Sequence, residues 1–327
     1  SMAELQQKMQ GASEEKDARF LDATWQQWPY NALKESYKAQ ADHWMRSTQV
    51  EGMSDHHRHM VGFFTRQWLD AMSPSNWALS NPEVLRKAVE TQGQSLQNGW
   101  QHYLADTQNA SRSASAATAD DAPDKPLQFE VGKDVATTPG KVVFRNRLIE
   151  LIQYAPTTEK VHAEPLLIVP SCIMKYYILD LSPHNSMVRY LVDQGHTVFM
   201  ISWRNPDASD RDLGMDDYLR LGVMDAMAAV KKQTGEPRLH AIGYCLGGTF
   251  LSIVAAVLGR SKGRRGRSQD KAMPDLASVS LLAAQTDFSE PGELGLFIDN
   301  DQLQTLREDM AHKGYLSGKK MAGSFQF

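Results

Sequence analysis

The sequence predicts an α/β fold: a mostly parallel sheet with helices on both faces, preceded by a helical N-terminal region. Three observations predict it. From residue 141 onward, short β-branched and apolar runs alternate with helix-length segments, the rhythm of strand–helix–strand units. Within that stretch, Gly243-x-Cys245-x-Gly247 joins a strand-like run to a helix-like one. Before it, from Phe20 to Leu104, the pattern is helical and aromatic residues recur, with Pro29, Pro74 and Pro82 as punctuation.

Taken in order, residues 1–19 are polar and charged and read as a frayed helix or as disordered. Asn81-Pro82-Glu83 reads as a helix start, with Asn as N-cap and Pro in the first helical position. His56, His57 and His59 cluster locally, but with no cysteine nearby they read as a solvated helix surface rather than a metal site. Residues 107–126 are small and polar without periodicity, which predicts a linker. Strands are expected over 141–144, 148–154, 165–170, 196–203, 238–243 and 276–283, and helices over 182–194, 216–233 and 249–258. The expected domains are therefore a helical region over 1–106, the linker, an α/β core over 127–286 and a further region over 287–327.

The totals exclude several classes. The 327 residues include 42% hydrophobic and 23% charged, ordinary for a globular chain with a substantial core. A net charge of −4 gives no general reason to expect nucleic acid. No apolar run approaches membrane-spanning length and no secretory signal is evident, so a cytoplasmic location without a membrane span is expected. Two cysteines, Cys172 and Cys245, fit a reducing compartment better than a disulfide framework. Neither a metal site nor a cofactor is expected.

The turn at 243–248 carries the chemistry. A nucleophile on a sharp strand-to-helix turn needs neighbours with almost no side chain, which explains Gly243, Gly247 and Gly248. The turn lifts the sulfur of Cys245 clear of the sheet and aims the first helical amides at charge developing beside it. This is the Gly-x-Ser-x-Gly nucleophile elbow with cysteine for serine, and it points to an α/β-hydrolase-type sheet counted through strand six. Leu246 is the expected first oxyanion donor. Cys172 or Ile173, after the third strand, is the expected second. In such a sheet strands three and five are neighbours, so the two thiols could lie in one pocket.

Several longer runs resemble polyhydroxyalkanoate synthases. They lie at 129–132, 136–146, 151–156, 175–181, 188–206 and 287–294. The resemblance spans roughly residue 74 to the end, and the long N-terminal region is similar to the single-subunit class. It implies an acyltransferase that polymerises (R)-3-hydroxyacyl-CoA, with the growing polyester held as a thioester on Cys245 and CoA released. It implies a cytoplasmic enzyme at the surface of polyester granules, a homodimer, with granule-associated proteins as further partners. The family's Pro-Pro-Trp-Ile-Asn is replaced here by residues 170–174, Pro-Ser-Cys-Ile-Met. The family's aspartate and histidine follow strands seven and eight, which the sheet counted here does not reach. The core is thus expected to be incomplete, with 287–327 as the start of a cap region, and the chain to be inactive as a polymerase. A truncated paralogue that binds granules or an intact synthase, or a thioesterase on the same fold, are the alternatives. Asp287 reads as structural or hinge-like.

Overall fold

The structure, a computed structural model, describes residues 16–116, 129–263 and 273–316. It divides into two compact units, Ser1–Asp124 with Gly292–Phe297, and Lys125–Pro291 with Ile298–Phe327.

The first unit is helical: α1 Tyr30–Ser47, α2 Asp55–Ala71, α3 Pro82–Glu90 and α4 Gln94–Ala116. Phe20 and Trp25 are fully buried and meet edge to face at 4.9 Å. Arg19 bridges this cluster to α2 through Asp70 at 2.7 Å and donates to the Tyr37 hydroxyl. The start of α3 forms as its sequence dictates: the Asn81 side chain accepts from the amides of Glu83 and Val84, and Pro82 occupies the position that needs no donor. His56, His57 and His59 lie exposed in the first turns of α2. Helix α4 runs on to Ala116, into the segment expected to be a linker. The remainder of that segment lies outside the described residues, as do residues 1–15 and those beyond 316.

The second unit is built on a six-stranded sheet in the order β1-β2-β4-β3-β5-β6. Its strands are β1 Gly140–Arg145, β2 Ile149–Tyr154, β3 Leu166–Val169, β4 Val198–Trp203, β5 Arg238–Tyr244 and β6 Asp275–Leu282. β1 pairs antiparallel with β2, and β2 with β4, whereas β4, β3, β5 and β6 are parallel. β3 is apolar at all four positions and buried throughout, as a central parallel strand covered on both faces must be. Alternation divides the core. Leu167, Val169, Phe199, Ile201, Leu239 and Ala241 belong to one buried cluster, Leu166, Ile168, Val198 and Met200 to the other.

Two helices depart from expectation. The helix expected from Ser182 begins later, as α5 Met187–Asp193. Residues 182–185 instead form a hydrogen-bonded turn, and Ser186 caps the helix by accepting from the Arg189 amide. Pro183 disfavours a helical residue before it, and the small polar side chains offer the backbone local partners. The second helix starts as α6 Met215–Asp217, is π-wound over Tyr218–Met224, and continues as α7 Asp225–Thr234. Gly222, in the π stretch, lies under the Trp203 ring so closely that a Cβ would overlap it. The elbow helix is α8 Leu246–Gly263, and α9 Asn300–Lys313 follows β6 in the chain.

Candidate active site

Cys245 stands between β5 and α8 with φ +53, a left-handed conformation that is uncommon outside glycine and is held here by its surroundings. Its amide donates to the Leu282 carbonyl of β6 at 3.0 Å. Its own carbonyl accepts from the amides of Gly248 and Thr249 at 2.9 and 3.2 Å. The three glycines are sterically required. A Cβ on Gly243 would run into the backbone of Gly248, one on Gly248 into the Ala284 side chain, and one on Gly247 into the carbonyl oxygens of Val169 and Pro170. The elbow is thus pressed against the end of β3 on one side and the end of β6 on the other. Thr249 reinforces the second contact by donating to the Gln285 carbonyl at 2.7 Å.

The segment after β3 turns over residues 171–174, with the Met174 amide on the Ser171 carbonyl. Trp203 fixes its approach by donating from Nε1 to the Pro170 carbonyl at 2.8 Å. Among the described residues, the amides of Leu246 and Ile173 have no acceptor. Ser171 Oγ is fully buried and makes no hydrogen bond among the described residues.

Burial pushes the Cys172 thiol up to about 11, and the neighbouring Cys245 thiol adds to the effect. Only a thiolate reacts with an alkylating agent, so about one Cys172 in a thousand is reactive at pH 8. Its alkylation rate, followed by peptide mass, is expected to rise about tenfold per pH unit between pH 8 and 10. A rate that plateaus below pH 9 would contradict this environment.

The histidines lie elsewhere. His240 Nδ1 pairs with Ser278 Oγ at 2.8 Å and its Nε2 with Glu164 at 3.1 Å. It sits five residues before Cys245 on an extended strand, roughly 16 Å away. His162 and His196 pack against each other at a tilt, with ring centroids 4.7 Å apart. His184 and His312 are exposed. No histidine hydrogen-bonds the Cys245 thiol among the described residues. Asp287 is exposed and accepts from the Ser289 amide at 2.9 Å, a bond that holds its carboxyl below the usual range and ties it to a local turn.

Sequence reasoning missed two residues that shape this edge of the sheet. Tyr218 packs against Trp203 and Phe250, with ring centroids 5.5 and 5.8 Å away, and burial with Cys172 and Asp210 nearby pushes its phenol up. Trp203 carries the Pro170 bond. The only signal for them was local: an indole ending a strand and a glycine, Gly222, inside a helix-length run.

Residues 16–191 match the family model described as the poly-beta-hydroxybutyrate polymerase (PhaC) N-terminus, and residues 165–314 match the alpha/beta hydrolase fold. A poly(3-hydroxyalkanoate) polymerase from Methylorubrum extorquens is 40% identical over 97% of the chain and 52% of its own length. A poly(3-hydroxyalkanoate) polymerase subunit PhaC from Cupriavidus necator is 41% identical over 83% of the chain and 44% of its own. One from Rhizobium etli is 37% identical over 95% and 47%. The chain thus spans about half the length of the curated relatives it matches.

Proposed function

This chain belongs to the poly-beta-hydroxybutyrate polymerase family and has the alpha/beta hydrolase fold, and from that premise we propose that Cys245 carries the acyl group during polymerisation of (R)-3-hydroxyacyl-CoA. The observation that carries the reading is the elbow itself: a cysteine at φ +53, cushioned by three glycines, at the amino end of a long helix. The Cys245 sulfur attacks the thioester carbonyl, the carbon–sulfur bond to CoA breaks, and the acyl group becomes a thioester of the enzyme. The oxyanion rests on the Leu246 amide and on that of Ile173, two amides with no acceptor among the described residues. The next 3-hydroxyl then takes the acyl group, which extends the polyester.

In this proposal none of the described histidines serves as the general base: His240 is bound to Ser278 and Glu164, His162 and His196 pack on each other, and none hydrogen-bonds the Cys245 thiol among the described residues. We also place the protein in the cytoplasm at the polyester surface as a homodimer. Exposed Trp44, Trp68, Trp77 and Trp100 on the helical unit support an apolar surface as neighbour. Among the described residues no helix is long and apolar enough to cross a membrane.

The test is acylation of the 327-residue chain by 3-hydroxybutyryl-CoA. One acyl group per chain is expected, on the Cys245 peptide, with CoA released in a single slow turnover. No adduct, or an adduct on another residue, would sink the nucleophile assignment. Sustained turnover at the rate of a full-length polymerase would sink the placement of the base.

A further inference from the structure

A cavity of about 250 Å³ opens at the carboxyl end of the sheet. Cys172 and Ile173, from the turn after β3, form part of its lining. Leu213 and Tyr218, from the segment after β4, form another part, and Met310 from α9 a third. Arg211 helps to keep α9 in place, donating from Nη2 to the Ala311 carbonyl at 3.1 Å. The one buried carboxylate on the lining, Asp210, is already held by Arg147, Arg204 and the Asp207 amide. The rest of the lining combines aliphatic, aromatic and thiol groups with the polar side chains of Asn205 and Arg211.

The topology places this cavity beside the nucleophile. Ligands of open α/β sheets bind outside the carboxyl ends of the strands. The order β4-β3-β5 sets the ends of β4 and β3, which frame the cavity, next to the end of β5, which carries Cys245. The turn holding Cys172 follows the Val169 and Pro170 carbonyls that press on Gly247. Cys172 also lies close enough to feel a charge on Cys245.

Size selects the occupant. At ~30 Å³ per water-sized group, the cavity has room for about eight such groups. That accommodates a short hydroxyacyl chain and excludes a nucleotide-bearing CoA, which would need a larger site. Cys172 is the smallest side chain among the apolar lining named here, so a change in its volume alters the room directly.

We propose that this cavity receives the acyl chain of the thioester bound at Cys245, and that Cys172 sets how long a chain can enter. The proposal rests on the reading of Cys245 as the acyl acceptor. The two separate in one experiment. The whole chain is incubated with S-alkyl CoA thioethers of butyl, hexyl and decyl length, which have no carbonyl to attack. Alkylation of Cys245 and of Cys172 is then followed separately by peptide mass at pH 9. The butyl and hexyl probes are expected to slow both thiols about tenfold near saturation, and the decyl probe to protect less. In Cys172→Ala the longest protecting chain lengthens, and in Cys172→Val and Cys172→Trp it shortens, read at Cys245. Protection of Cys245 with no change at Cys172 overturns the inference and leaves the nucleophile reading intact. So does one chain-length profile shared by wild type and all three variants. Protection of neither thiol by any probe also overturns the inference, whereas the nucleophile reading stands or falls with the acyl adduct on Cys245.

Discussion

Cys245→Ala is expected to remove the acyl adduct entirely and to reduce CoA release from 3-hydroxybutyryl-CoA to the uncatalysed background. Loss of a covalent nucleophile costs on the order of 10⁶ in rate where it has been isolated, so the residual release should be set by spontaneous thioester hydrolysis. The fold should be unaffected. Cys245 contributes to the elbow through its backbone, with its amide on Leu282 and its carbonyl on Gly248 and Thr249, and alanine retains all three bonds. The left-handed φ of +53 costs alanine about what it costs cysteine. Equal denaturation midpoints with no adduct in the variant is therefore the predicted combination. Cys245→Ser should retain weak acylation at most, because an unactivated hydroxyl is a far poorer nucleophile than a thiolate. CoA release in the alanine variant comparable with wild type would mean that another group performs the chemistry.

Gly247→Ala is expected to destabilise the second unit by about 3 kcal/mol or more, a large effect for one methyl group. The new Cβ would fall on the carbonyl oxygens of Val169 and Pro170, which are backbone atoms at the end of the central strand β3 and cannot rotate away. Relief requires α8 to shift off β3, which also moves Cys245 relative to the turn at Ile173. Activity and stability should therefore fall together. The control lies in the same helix. Gly259 has nothing within 4 Å of an added Cβ, and Gly259→Ala should raise stability by up to about 1 kcal/mol through helix propensity and reduced freedom of the unfolded chain. Urea midpoints measured for both variants decide the matter. A Gly247→Ala midpoint within error of wild type would show that the elbow has slack which the tight contacts exclude.

Much of the fold and the strand-to-helix elbow at Cys245 were legible in the sequence because they rest on local chemistry. A four-residue run of pure Leu, Ile and Val reads as a buried parallel strand, and β3 is one. Asn81-Pro82 reads as a helix start because one side chain and one missing donor satisfy the first amides. Gly243, Gly247 and Gly248 around a cysteine read as an elbow because only a tight turn needs three such small residues there. The start of α5 differs from expectation because Ser182, Asn185 and Ser186 form a turn and cap held partly by side-chain bonds that helical periodicity does not register.

What only the tertiary structure decided is what lies across from what. Nothing local in Trp203 predicts that its indole reaches the Pro170 carbonyl while its ring covers Gly222. Nothing in Tyr218, carried on a π-wound stretch, predicts that it lines a cavity with Cys172, 46 positions earlier in the chain. Histidine counts could not tell that His240 is bound to Ser278 and Glu164 at the far end of β5. Secondary structure and turns follow from each residue's own donors, volume and backbone limits, which the sequence states directly. Pocket shape, pairing and the raised thiol of Cys172 follow from which strands become neighbours, and that is fixed only when the sheet closes its core.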